Sequence, residues 1–262
     1  MNVNEEFAKL FARLDDLCAE AERGGVGVSD FLSPREAHYA LAYLGKIGAS
    51  YFAFGGYEGA ERQKIYVLPD YMESVRDTQS LSEYGFVCDV VCVSVRTDGY
   101  RKLTHRDYLG SLLGLGIERA VLGDILVLGE DGAEAFVFCS EAMGAFFCAE
   151  LSKVAREKAR VEIISPNDAK IPEKRFAPIS DTVASARIDC VVAALCSLSR
   201  EKARAAVESG LVEIDFECEE RPDRTVSAPC LVSVRGFGRY RVLTVNDKTK
   251  KGRYRLSAEK FL

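Results

Sequence analysis

The sequence predicts an α+β protein built from small consecutive units, and three observations carry that expectation. Its 262 residues suffice for one to three ordinary domains. Segments with apolar residues at helical spacing alternate with short strand-like apolar runs, and neither kind dominates. Charge is divided along the chain: residues 1–165 hold 17 Lys and Arg against 26 Asp and Glu, whereas residues 166–262 hold 18 against 14. The overall balance of −5 therefore conceals a basic C-terminal portion, and from Val234 onward there are nine basic and two acidic side chains. Basic residues that alternate with Tyr, Val and Leu in this way point to a phosphate-bearing partner more than to a solubilising tail.

Residues 1–80 are expected to form a small N-terminal α/β unit. Its first helix is EEFAKLFARLDDLCAEAER, in which Phe7, Leu10, Phe11, Leu14, Leu17 and Cys18 recur at helical spacing before Gly24 and Gly25 stop it. SPREAHYALAYL opens a second helix: Ser33 is the N-cap, Pro34 takes the first helical position, and Glu36 closes a capping box. SYFAF and KIYVLP then read as strands. The glycine-rich connector GGYEGAERQ lacks the GxxxxGK[ST] spacing of a phosphate cradle and reads as a hairpin loop.

Residues 81–165 change order. FVCDVVCVSV is a strand, and THRDYLGSLLGLG a helix with Thr104 as N-cap and Asp107 as its N3 partner. AVLGDILVL and AEAFVFC flank a hairpin turn at Glu130, Asp131 and Gly132. A helix from Ser140 through Lys158 is expected to pack Met143, Phe146, Phe147, Leu151 and Val154, and RVEII closes the unit. This β-α-β-β-α-β order is the ferredoxin-like split βαβ arrangement, and makes the middle domain RRM-like. Such a fold does not by itself imply RNA binding. The aromatic strand motif with which RNA-recognition modules stack bases is not present in its usual form.

SPNDAKIPEKRFAPISDT holds three of the seven prolines and no helical period, so residues 166–181 read as a linker. Beyond it, residues 182–262 begin with two short helices. The first carries Arg187, Ile188, Asp189, Val191, Val192 and Leu195. The second starts at Ser199, a natural N-cap, and stops at Gly210; Ala203, Ala206 and Val207 form its buried stripe, Arg200 and Arg204 one flank, and Lys202 the other. RGFGRYRVLTVNDKTKKGRYRL then reads as a basic β-ribbon turning near residues 246–252.

Arg187-Ile188-Asp189, Ser199-Arg200, Ala203, Gly210, Val212 and the strand LVSVRG resemble the S4 RNA-binding domain, with Pro229-Cys230 standing where that pattern has Gly-Asp. FLSPREAHYALAYLG, FGGYEGAERQKIYVLPDY, LTHRDYLGSLLGLGIERAVLGDI and SVRGFGRYRV together resemble the bacterial YlmH family over most of the chain. That resemblance implies a C-terminal S4 domain behind an N-terminal region and an RNA-recognition-like middle domain. It also implies an RNA-binding factor of the large ribosomal subunit, acting in ribosome-associated quality control, where a stalled peptidyl-tRNA has its nascent chain extended. An older cell-division label attaches to the same family.

The expected partners are rRNA of the large subunit, tRNA or peptidyl-tRNA, and other quality-control factors. Arg187, Ser199, Arg200, Lys202 and Arg204 would grip an RNA backbone from the helical edge, since a helix N-terminus flanked by cations suits phosphate. Arg235, Arg239, Arg241, Lys248, Lys250, Lys251 and Arg253 would extend the contact along the ribbon.

Other chemistry finds little support. Nine cysteines without a CxxC pair and two histidines argue against a zinc site or a disulfide scaffold, so no metal or cofactor is expected. Cys88, Cys92, Cys139, Cys148 and Cys190 lie in apolar runs and read as small core residues. His105-Arg106-Asp107 has the look of a kinase catalytic loop, but residue 112 is Leu where a metal-binding Asn is required. GxSxG and a convincing GxGxxG are absent, as are the motifs of the enzymes that carry S4 domains, so the chain is not expected to be an enzyme. The alternatives are an S4-containing RNA-modifying enzyme and a division-linked interaction protein. An acidic N-terminus and the lack of any apolar run near 18 residues predict no membrane association and a cytoplasmic location.

Overall fold

Local capping chemistry sets many of the boundaries in the computed structural model, which describes residues 3–249 and 252–262. The chain divides into two units, residues 1–172 and 173–262. In the first unit the expected opening helix is split into α1 (Val3–Glu6) and α2 (Ala8–Glu22) at Phe7, whose ring turns inward against Tyr39 at 4.4 Å. After β1 (Gly27–Val28), helix α3 (Pro34–Ile47) has the complete capping box: Ser33 Oγ accepts from the Glu36 N–H, and Glu36 Oε2 accepts from the Ser33 N–H at 2.8 Å. Gly48, in the left-handed region at φ 76°, ends it. Strands β2 (Ser50–Phe54) and β3 (Lys64–Leu68) form the expected hairpin in a sheet of order β1-β3-β2, over which α2 and α3 bury Leu14, Ala40 and Leu44 against Ile65 and Val67. Helix α4 (Thr78–Ser82), capped by Asp77, follows.

The next strand, β4 (Val90–Thr97), starts four residues later than the apolar run suggested. Asp89 is held by β3 instead, accepting from Lys64 Nζ at 2.5 Å and from the Tyr66 hydroxyl at 3.1 Å. Helix α5 (His105–Leu113), strands β5 (Leu122–Leu128) and β6 (Glu134–Ser140), and helix α6 (Glu141–Glu150) keep the expected order. The helix expected to reach Lys158 is corrected: β7 (Lys153–Val154) and β8 (Glu157–Ile164) make a tight hairpin, with Val154 opposite Glu157 and Ala155 at φ 52°. Leu151 and Val154 are buried as the helical spacing required, but they reach the core from a loop and a strand. Phe146 is partly exposed instead of packed. The sheet order is β5-β6-β4-β8-β7, with every neighbour antiparallel.

Both faces of this second sheet are covered. Val93 and Val95 lie beneath α5 and α6 among Tyr108, Leu112 and Phe147. The opposite face, carrying Cys92, Phe136 and Phe138, is packed by Phe31, Phe54 and Tyr57 from earlier in the chain and by Ala169 and Ile171 from later. Buried Asp124 fixes that cover: its carboxylate accepts from the Tyr57 hydroxyl and the Glu61 N–H, each at 2.7 Å, and from the Arg62 N–H at 3.0 Å. A Cβ at Gly56, where φ is 103°, would stand 2.2 Å from the Phe138 ring, so only glycine brings the connector this close. The loop between β2 and β3 is therefore part of the packing of the β4–β8 sheet.

In the second unit β9 (Phe176–Val183) precedes helices α7 (Ile188–Leu195) and α8 (Arg200–Glu208). Strands β10 (Val212–Ile214), β11 (Glu217–Cys218), β12 (Cys230–Val234), β13 (Gly238–Lys248) and β14 (Tyr254–Phe261) complete an antiparallel sheet of order β11-β10-β12-β13-β14-β9. The last part of the stretch expected as a linker, from Phe176 onward, is thus a strand, paired from Phe176 opposite Phe261 to Val183 opposite Tyr254. Pro178 is tolerated because β9 is an edge, where the missing N–H interrupts no second ladder. Ala203, Ala206 and Val207 are buried as expected, with Ile188, Val191, Val192 and Leu195, against Val232, Tyr240 and Val242. Of the cysteines read as core residues, Cys92, Cys139 and Cys190 are buried and Cys88 is half-buried, but Cys148 is exposed on α6. Among the described residues no helix is long and apolar enough to cross a membrane.

Candidate nucleic-acid interface

The start of α7 gathers the charges. Asp189, whose side chain is 3% exposed, accepts from Arg187 Nε and Nη2 at 3.2 Å and from Arg200 Nε and Nη2 at 3.3 Å. Burial opposes the charged carboxyl, but the hydrogen bonds from Arg187 and Cys190 and the charges of Arg200 and Arg187 outweigh it and hold Asp189 below its ordinary range. Each guanidinium spends one edge on Asp189 and remains partly exposed, so the buried carboxylate orients two arginines without removing them from the surface.

Ser199 caps α8 and accepts from the Lys202 N–H at 3.3 Å, while the Lys202 side chain is exposed. Arg204 lies one turn beyond Arg200 and pairs with Glu208 at 2.8 Å. Arg187, Ser199 and Arg200 therefore lie together at the starts of the two helices, with Arg204 one turn on and Lys202 on the other flank of α8. The same region holds residues the sequence reading missed. The loop after β11 docks on α7, with the Ile188 N–H donating to the Arg224 carbonyl and the Asp189 N–H to the Pro222 carbonyl. Its Glu219 is a second buried carboxylate, paired with Arg221 at 3.2 Å and Arg224 at 2.9 Å. Burial again opposes, and the hydrogen bonds and charge of Arg221 with the charge of Arg224 prevail, so Glu219 is also held low. The only sequence signal for Arg221 and Arg224 is ECEERPDRT, which has the composition of a solvated loop.

Two of the ribbon arginines do not join this cluster. Arg239 and Arg241 alternate with the buried Tyr240 and Val242, so they lie on the sheet face turned away from the helices. Arg241 sits over the Phe176 and Phe261 rings at 5.1 and 5.5 Å, and Arg239 over Phe261 at 5.6 Å. Arg235 is exposed in the turn between β12 and β13. Arg253 donates to the Thr182 hydroxyl at 2.9 Å and to the Thr182 carbonyl, which ties the ribbon end to β9. Lys248 ends β13, opposite Tyr254. Lys250 and Lys251 lie outside the described residues. No group of three or more His, Cys, Asp and Glu side chains placed to hold a metal ion occurs among the described residues.

Residues 5–72 match a family model described as "YlmH, N-terminal", and residues 88–168 one described as "Putative RNA-binding domain in YlmH". The ribosome-associated protein quality control protein P2 of Bacillus subtilis is 32% identical over 234 residues, covering 89% of this chain and 86% of that protein. The chain belongs to the YlmH family. A solved YlmH structure, the cell division protein ylmH from Streptococcus pneumoniae, shares the fold at a TM-score of 0.51 and 19% identity, over 66% of this chain and 96% of that one. Within the YlmH fold seen here, the region matching the RNA-binding model is the β4–β8 sheet with its two helices, and the sheet face away from those helices is already filled.

Proposed function

We propose that the chain is a non-catalytic RNA-binding factor of ribosome-associated quality control. In this reading residues 182–262 are an S4 domain that grips rRNA of the large subunit and peptidyl-tRNA, residues 81–165 an RRM-like domain, residues 1–80 an N-terminal unit, and residues 166–181 the connection. The observation that carries it is the arginine fan at the start of α7. Arg187 and Arg200 are oriented by one buried carboxylate, Arg221 and Arg224 by another, and Arg204 stands one turn from Arg200 on α8. Guanidiniums fixed on one edge and exposed on the other are pre-organised donors for phosphate oxygens. The name of the Bacillus relative supports the setting, and the RNA-binding family model supports the ligand class.

The strand order of the middle region, second-third-first-fourth around the sheet, supports the RRM-like reading. Its helix-free face is not the contact, because Phe136 and Phe138 are buried there under Phe31 and Tyr57. Its role in this reading is to position the N-terminal unit or to meet a further quality-control factor.

Co-sedimentation with separated ribosomal subunits, with and without peptidyl-tRNA, tests the proposal. Wild type should pellet with the large subunit, and an Arg200→Glu/Arg204→Glu variant with unchanged circular dichroism should not. Wild type that stays in the supernatant at low salt refutes the ribosome reading.

A further inference from the structure

In the first unit a cavity of about 440 Å³ lies against α2, the segment at Ser29–Leu32 and the approach to β5. That is within the size range that holds small organic ligands. Two half-buried arginines line it, Arg62 and Arg119, neither of which the sequence singles out. Both are held by backbone carbonyls. Arg62 Nε and Arg119 Nη1 donate to the same Leu122 oxygen, each at 2.9 Å; Arg62 Nη2 reaches the Phe31 oxygen at 2.7 Å, and Arg119 Nη1 the Gly123 oxygen at 3.0 Å.

Two guanidiniums thus converge on one carbonyl, and among the described residues neither makes an ion pair. The nearby carboxylates of Asp124 and Glu36 offset part of this charge through space, but their hydrogen bonds go to other groups. Asp124 accepts from the Tyr57 hydroxyl and two backbone N–H groups, and Glu36 Oε2 from Ser33. Burial first and the charge of Arg62 second push Arg119 down to about 10, and burial lowers Arg62 as well. Like charges in a poorly solvated place are costly unless a counter-charge arrives. Donors for one remain: Arg62 Nη1 and Arg119 Nε and Nη2 make no protein hydrogen bond among the described residues.

The rest of the lining defines the ligand. Lys9 and Arg13 add positive charge, while Asp30, paired with Arg13 at 2.6 Å, Glu36, and the Asp124 carboxylate that acts on both arginines subtract from it, leaving a net positive charge. Leu10, Leu14 and Leu17 give the cavity an apolar wall. A carboxylate offers two oxygens to the open donors of Arg62, Arg119 and Lys9, whereas a phosphate monoester offers three acceptor oxygens and nearly two negative charges. We propose that this cavity binds a phosphate monoester of nucleotide size, with its phosphate on Arg62, Arg119 and Lys9 and its organic body against Leu10, Leu14 and Leu17. The chemistry is shared by a free nucleotide and by the phosphorylated end of an RNA, and it is independent of the arginine fan on α7.

The test is titration of the full chain at low salt with AMP, adenosine, inorganic phosphate and a 5′-phosphorylated trinucleotide, followed by calorimetry and by amide shifts. AMP should bind saturably, adenosine should not, and inorganic phosphate should bind at least tenfold more weakly than AMP. Lys9 is exposed, so Lys9→Glu should fold normally and weaken AMP at least tenfold; Arg119→Gln should do the same if its circular dichroism is intact. Arg200→Glu/Arg204→Glu should leave AMP binding unchanged. Tighter binding of the trinucleotide than of AMP assigns the site to RNA ends, and equal binding assigns it to free nucleotides. The proposal is overturned by absent AMP binding at millimolar concentration, by adenosine binding as well as AMP, by phosphate matching AMP, or by a Lys9→Glu variant that binds like wild type.

Discussion

The two units treat arginine in opposite ways. Around α7 the carboxylates of Asp189 and Glu219 are buried and the guanidiniums stay partly exposed. At the junction of β3 and β5 the guanidiniums of Arg62 and Arg119 sink inward and neutral carbonyls hold them. The first arrangement makes a surface whose charge can meet a partner at little cost in stability. The second joins two parts of one unit and leaves its charge only partly compensated. Counting arginines would not separate these cases; what separates them is which member of each pair is desolvated.

This contrast can be broken in four places, starting with the largest effect. Arg62→Met removes three hydrogen bonds, to the carbonyls of Leu122, Phe31 and Arg119, and leaves the Phe31 carbonyl without its side-chain donor. It should cost the first unit about 3 kcal/mol, measured as a lower urea midpoint by circular dichroism, while RNA affinity stays within twofold. An equal loss of RNA affinity would show that the two units are not separable in this way. Asp189→Asn keeps the size but removes the charge that orients Arg187 and Arg200. It should cost about 2 kcal/mol and also weaken RNA binding, because the two guanidiniums lose their anchor.

Arg200→Glu/Arg204→Glu should cost about 1–2 kcal/mol, because a carboxylate replaces the guanidinium that pairs with buried Asp189, yet it should stay folded and lower RNA affinity tenfold or more. With about five phosphate contacts, the wild-type slope of log affinity against log salt should lie near −3.5 to −4.5, and the variant's should be shallower by roughly 1.5 to 2. An unchanged slope would remove these residues from the interface. The smallest effect is in pH. Asp189 and Glu219 are both held low in the folded state, so their contribution is complete above the unfolded values of roughly 4 and is lost as pH falls through the folded ones. The second unit should accordingly lose stability on acidification below about pH 4, and Asp189→Asn should flatten that decline.

Much of the fold was legible because short-range chemistry decides it. Ser33, Pro34 and Glu36 state a helix start on their own, as do Thr104 and Asp107, and each pair is found bonded as its spacing requires. Ser199, Ala203 and Val207 placed α8 and its buried stripe correctly. The failures come where distant residues intervene. Leu151 and Val154 keep a helical interval although the chain has turned back on itself at Ala155, because the core beneath α6 accepts apolar side chains from either conformation. The covered face of the β4–β8 sheet depends on Phe31, Tyr57 and Asp124, separated by dozens of positions, and no local period encodes their meeting. At the candidate interface the α8 residues were visible as a basic flank. The partition of the ribbon arginines to the other sheet face follows from strand alternation once Tyr240 and Val242 are known to be buried. Arg221 and Arg224 had no comparable signal.

The pairing of β9 with β14 also imposes an order in time. Phe176 lies opposite Phe261, and among the described residues β9 pairs with no strand but β14 in the sheet on which α7 and α8 pack. During synthesis the first unit has all its strands long before that, and domains tend to fold as they emerge. The second unit cannot close its sheet until residue 261 has been made. The sheet that backs α7 and α8 therefore gains its outermost pairing well after Arg224, the last arginine of the fan, has been made.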